Sequence, residues 1–149
     1  MAIYDSITDT IGDTPLIRLH RMVPPGSHVY VKAERTNPSG SVKDRAAMCM
    51  IDDAVARGLL KEGGTIVEPT SGNMGISLAM IAAARGYRAV IVMPETMTAE
   101  RIALMTAYGA EVILSPGSDG MQGAVDLAER IAEERGGFVC GQFDNPANA

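Results

Sequence analysis

The chain has 149 residues, 46% hydrophobic and 21% charged, which suits one packed domain with an ordinary polar surface. Its net charge of −5 and its six aromatics without a tryptophan argue against a polyanion-binding face or a base-stacking platform, so no nucleic-acid partner is expected. Cys49 and Cys140 lack metal-ligand spacing, so no metal is expected; the pattern suits a reducing compartment, although sequence alone leaves a disulfide open.

The opening segment carries acids and no apolar core, unlike a signal peptide. The longest weakly polar run, residues 75–84, is too short to span a bilayer. A cytoplasmic protein without a membrane partner is therefore expected. Ile11-Gly12-Asp13-Thr14-Pro15 reads as a turn, and Leu16 to Leu19 as a short strand. Pro24 to Ser27 is a second turn. Val29, Val31 and Ala33 then alternate with Tyr30, Lys32 and Glu34, the pattern of a half-buried strand. Two strands alone are marginal, so residues 1–37 need another surface to pack on.

Pro38-Ser39-Gly40-Ser41-Val42-Lys43-Asp44-Arg45 hands a loop over to a helix. Ser41 and Asp44 have the spacing of a capping box. Lys43 faces the positive end of the helix dipole, a poor place for an ammonium and a better one for a nucleophilic neutral amine. From Ala46 to Arg57, Ala47, Met50, Ile51, Ala54 and Val55 share one helical face, and Gly58 is the stop. Cys49 lies off that face.

Strands and helices then alternate. Strands are expected at 65–68, 88–93, 111–114 and 138–140, with helices at about 74–85, 99–108 and 121–135 between them. Thr98 is the candidate cap of the second of these helices. Ala124, Leu127, Ala128 and Ile131 form one face of the third. This rhythm implies parallel strands with right-handed crossovers: an α/β fold with an open twisted sheet and flanking helices, preceded by an N-terminal β-strand segment. Sites in such sheets lie beyond the carboxyl ends of the strands.

One such loop is Pro69-Thr70-Ser71-Gly72-Asn73-Met74-Gly75. Hydroxyls at Thr70 and Ser71, the Asn73 amide and the N–H groups of the following helix start suit a carboxylate or phosphate. The loop matches neither the Walker pattern nor the dinucleotide glycine pattern. A capped strand-to-helix turn without a ligand is the plain alternative.

Taken together, Pro38 to Arg45 and Glu68-Pro-Thr-Ser-Gly-Asn-Met-Gly75 closely resemble the cysteine synthases. These are O-acetylserine sulfhydrylases among the fold-type II enzymes that use pyridoxal 5'-phosphate (PLP). Residues 11–19, 93–101, 107–111 and 141–148 also resemble cysteine synthase segments, so the likeness covers essentially the whole chain.

The resemblance implies that Lys43 holds pyridoxal phosphate as a Schiff base and then moves protons. It implies that Asn73 bonds the cofactor ring oxygen. Thr70, Ser71, Asn73, the Met74 backbone and Gln142 would bind the substrate carboxylate. The implied reaction is β-replacement, making L-cysteine from O-acetyl-L-serine and sulfide by a homodimer, with a serine acetyltransferase as a partner. Residues 38–149 would form the α/β small domain, and residues 1–37 would pack on a large domain. That domain, with the phosphate-gripping loop and the residue that meets the pyridine nitrogen, lies beyond Ala149 in family members. The chain thus resembles an N-terminal portion.

Two positions depart from the usual pattern. Met74 replaces a threonine, and Gly40 is closer to the second cysteine synthase isoform and the cystathionine β-synthases. The alternatives are a cystathionine β-synthase-like, O-phosphoserine-using or serine/threonine dehydratase enzyme, or a non-catalytic α/β binding module.

Overall fold

The structure is a computed structural model, and it describes residues 2–148. Its centre is a four-stranded parallel sheet in the order β5-β4-β3-β6. The strands are β3 (Thr65–Pro69), β4 (Arg88–Pro94), β5 (Glu111–Ser115) and β6 (Phe138–Val139). The register pairs Val67 with Val90 on one side of β3 and with Val139 on the other. A central strand covered on both faces is buried along its whole length, and every residue of β3 is buried, Thr65 and Glu68 included.

The helices are α1 (Lys43–Ala56), α2 (Asn73–Arg85), α3 (Ala99–Ala107) and α4 (Gly120–Arg135). Residues of α1, α2 and α3, including Met50, Ile51, Leu78, Ile81 and Met105, join Ile66 and Ile91 in one core. Ala124, Ala128 and Ile131 of α4 meet Val67, Val90 and Val92 on the other face. Successive strand residues thus feed opposite layers, as the period of two requires. Helix α2 is buried from Met74 to Ala82, which matches a segment apolar on all sides.

The expected α/β fold is observed, with several local differences. Helix α1 begins at Lys43, at the helix start read from the sequence, but no capping box forms. The Ser41 hydroxyl accepts the Lys43 N–H at 3.1 Å, while Asp44 reaches elsewhere. Val55 is 43% exposed, because it stands at the edge of the stripe that buries Ala47, Met50, Ile51 and Ala54. Thr98 precedes α3 without a side-chain capping bond. Cys49 and Cys140 are both free thiols, the first exposed and the second buried. No helix among the described residues is long and apolar enough to cross a membrane.

The N-terminal segment forms an antiparallel pair, β1 (Leu16–Arg18) and β2 (Tyr30–Lys32). The expected half-buried alternation is not seen: Leu16, Ile17, Tyr30 and Val31 are all exposed. A two-stranded ribbon has no second layer of its own, so neither face is covered. Polar bonds tie this segment to α1. The Arg45 guanidinium donates to both Glu34 carboxylate oxygens, at 2.8 and 3.1 Å. The Asn37 amide donates to Glu34 at 2.9 Å, and the Thr14 hydroxyl donates to it as well. The Arg45 hydrogen bond, helped by Thr14, holds the Glu34 carboxyl down at about 2.

Candidate active site

The strand order creates the site. The chain builds outward from β3 to β4 and β5, then α4 carries it back to place β6 on the other side of β3. The crevice between the carboxyl ends of β3 and β6 is therefore a topological switch point. The loop 70–72 leaves β3 there, and residues 141–148 leave β6 there.

Thr70 is buried, and its N–H continues the ladder by donating to the Val92 carbonyl at 2.9 Å. Ser71 is half-buried and Asn73 exposed. Asn73 and Met74 open α2, where backbone N–H groups have no intrahelical acceptor. Gly75 is required by close approach: a Cβ there would meet Thr70 Cγ2 and Met105 Cε at 3.0 Å. The Met74 side chain is 1% exposed and lies in the core with α1, so its backbone N–H is what it offers the loop.

Gln142 is buried beside β3. The Glu68 carboxylate accepts the Gly141 N–H at 3.0 Å and the Gln142 N–H at 3.4 Å. Burial pushes the Glu68 carboxyl up to about 7, against the opposing pull of those N–H donors.

Lys43 is half-buried at the first residue of α1. Together with Val42, Ala46, Cys49 and Asn148 it lines a hollow of about 210 Å³, which sets the end of the 141–148 segment beside it. Its neighbour Asp44 is fully buried and locks α1 to α2. Asp44 accepts the Ser39 N–H at 2.8 Å, the Ser39 hydroxyl, and the Ser77 hydroxyl at 2.6 Å. The Ser77 hydroxyl also lies 3.0 Å from the Asn73 carbonyl. One buried carboxylate thus fixes the start of the lysine helix relative to the start of the Asn73 helix.

Sequence reasoning gave no role to Glu68 or Arg101, and gave Asp44 only a place in a capping box. Arg101 donates to the Ser71 carbonyl at 2.8 Å from the first turn of α3. A cation at a helix start opposes the dipole, and that misplacement was a legible signal. An acid inside a strand expected to be apolar was the signal at Glu68.

The amine of Lys43, the amide of Asn73, the hydroxyls of Thr70 and Ser71 and the first N–H groups of α2 are donor types that fit pyridoxal phosphate on its amino-acid side. Among the described residues no cluster of acids, histidines or cysteines is suited to a metal ion.

Comparison with known proteins places this architecture. Residues 7–149 match the family described as pyridoxal-phosphate dependent enzyme. O-ureido-L-serine synthase of Streptomyces lavendulae is 56% identical over 148 residues, covering 99% of this chain and 46% of that protein. A probable cysteine synthase of Bacillus subtilis (strain 168) is also 56% identical, over 150 residues, covering 99% of this chain and 48% of that protein. The crystal structure of O-ureido-L-serine synthase superposes with a TM-score of 0.95 at 55% identity, over 98% of this chain and 46% of that one. The chain spans about half the length of the curated relatives it matches. With its family match and its fold in agreement, the chain belongs to the pyridoxal-phosphate dependent enzymes of fold type II, with cysteine synthases among its relatives.

Proposed function

We propose that the chain carries the lysine and carboxylate-binding side of a β-replacement site that makes L-cysteine from O-acetyl-L-serine and sulfide. The observations that support this reading are two links: Asp44 and Ser77 tie the start of the Lys43 helix to the start of the Asn73 helix, and Glu68 holds Gln142 against the strand that leads into the Thr70–Asn73 loop. The cofactor supplies an electron sink at the substrate Cα. The protein's own groups bind, orient and move protons. Thr70, Ser71, the N–H groups at Asn73 and Met74, and Gln142 hold the substrate carboxylate. The Asn73 amide orients the cofactor ring. The Lys43 amine holds the cofactor, takes the proton from the substrate Cα and returns one there at the end. Acetate leaves with the Cβ–O electron pair, and the sulfide sulfur forms the new bond to Cβ. The uncovered hairpin supports residues 1–37 as a segment that packs on a further surface, with residues 38–149 as the unit that bears the site.

The test is the visible spectrum of the purified chain mixed with pyridoxal phosphate. A band above 400 nm that Lys43→Ala removes supports the reading; the same band in both proteins overturns the role of Lys43. Cysteine formation is then assayed with O-acetyl-L-serine, O-phosphoserine and serine, each with sulfide, and 2-oxo acid formation with serine and threonine. Use of neither acetylated nor phosphorylated serine overturns the substrate reading.

A second reading rests on the O-ureido-L-serine synthase, as similar to this chain as the probable cysteine synthase is. In this reading an oxygen nucleophile, as the O-linked product in that protein's name implies, takes the place of sulfide at Cβ. Competing the two nucleophiles for one acetylated serine separates the readings.

Arg101→Met removes the cation that holds the Ser71 carbonyl. It is expected to weaken O-acetyl-L-serine binding by about tenfold, the worth of one hydrogen bond to a charged group. A titration of the cofactor-loaded chain reads this, and unchanged affinity refutes it.

A further inference from the structure

We propose that Glu68 is a positioning residue for the carboxylate subsite: its buried carboxylate clamps Gly141 and Gln142 against the strand that carries the Thr70–Asn73 loop. The proposal rests on the reading of that loop and Gln142 as one subsite. The β3–β6 ladder itself is short, pairing only Ile66 with Phe138 and Val67 with Val139. Its last backbone bond, from the Cys140 N–H to the Val67 carbonyl, is long at 3.4 Å. Nothing in the ladder reaches Gln142. Glu68 takes over at that point, with one carboxylate oxygen for each of the next two N–H groups.

Three further features suit a clamp. Gly141 has φ +61, a left-handed turn that aims its N–H and the next one at the same side chain. The outer side of the segment is held by its own asparagines: the Asn145 amide donates to the Cys140 carbonyl at 2.8 Å, and the Asn148 amide donates to the Gln142 carbonyl. Glu68 and Thr70 are two residues apart on an extended strand, so both sit on one face and one strand end fixes both walls. The titratable group facing Glu68 from the residue after β6 is the Cys140 thiol, which burial and the Glu68 charge push up. The carboxylate is 1% exposed, a placement that costs stability and that a surface turn would not need.

The experiment is amide NMR on the full chain, comparing wild type, Glu68→Gln and Glu68→Ala. In Glu68→Ala, hydrogen exchange at Gly141 and Gln142 is expected to accelerate by about tenfold or more, with the β3–β4 ladder unchanged. Glu68→Gln keeps one acceptor oxygen, so protection at Gly141, the closer donor, is expected to be rescued while that at Gln142 is lost. In wild type the two amide shifts should move together through one transition near neutral pH that is missing in Glu68→Gln. Unchanged exchange at both amides, or a uniform rise across the sheet, overturns the clamp. If Glu68→Ala does not fold, the wild-type and Glu68→Gln shift profiles decide: the same transition in both, or none in wild type, overturns it. Adding O-acetyl-L-serine to the cofactor-loaded wild type tests the other reading separately. No response to it, with the exchange pattern as expected, supports the clamp and overturns the substrate assignment.

Discussion

Asp44→Ala is expected to destabilise the chain by about 4 kcal/mol, because it strands several donors at once. Asp44 and Ser77 are both 0% exposed, so water does not replace the lost acceptor there. The Ser39 N–H, the Ser39 hydroxyl and the Ser77 hydroxyl all donate to this carboxylate, and of these the Ser77 hydroxyl keeps the Asn73 carbonyl as a second acceptor. A buried polar group without a partner costs about 1–3 kcal/mol, and bonds to a charged acceptor lie at the upper end. Asp44→Asn keeps the shape and one acceptor oxygen, so about half that loss is expected. Urea denaturation measures both, and an Asp44→Ala loss under about 1 kcal/mol refutes the account. The consequence for chemistry is positional. Lys43 adjoins Asp44, and Asn73 shares the Ser77 hydroxyl with it. The cofactor band of Asp44→Asn is accordingly expected to weaken even where the protein remains folded.

The second large effect is a pH dependence. The Glu68 carboxyl is raised by burial from an ordinary 4.5 to about 7. Between those two values the folded chain holds a proton that the unfolded chain has released. Stability from this group is therefore fully present below pH 4.5 and is lost as pH rises through 7. The gap corresponds to on the order of 3 kcal/mol. Glu68→Gln does not titrate, so the wild-type-minus-variant stability should fall by that amount between pH 4 and pH 8. For a chain of this size the difference amounts to roughly 6–12 °C in melting temperature. Thermal melts of both proteins in matched buffers check it, and a flat difference curve refutes it. The titration runs against the Gly141–Gln142 clamp: the ionised carboxylate, which has an acceptor for each N–H, is the form whose burial costs stability, and the two N–H bonds offset only part of that cost.

The elements of the sheet were legible because their signals are local. The strand at 65–68, the stop at Gly58 and the amphipathic face of α4 each depend on a few neighbouring residues. The loop from Thr70 to Gly75 was legible for the same reason: hydroxyls, an amide and glycines at a helix start carry their chemistry with them. The hairpin failed where its surroundings decide the outcome. Alternation predicts which residues share a face, and Val29 and Val31 do alternate, but alternation does not supply the layer that would cover them. The Ser41–Asp44 spacing failed in a similar way. A local cap would need Asp44 to turn back along its own helix, whereas Ser39 and the distant Ser77 satisfy it better in a buried setting.

The sequence by itself determined the alternating strands and helices, the apolar faces of α1 and α4, and the two loops whose chemistry marks a site. Only the tertiary structure decided the strand order β5-β4-β3-β6, and with it the meeting of Glu68 and Gln142 across 74 residues of chain. The reason is physical. A periodic apolar strand pairs equally well on either side of β3, and the choice is made when α4 crosses to the opposite face and buries Ala124, Ala128 and Ile131 against Val67, Val90 and Val92.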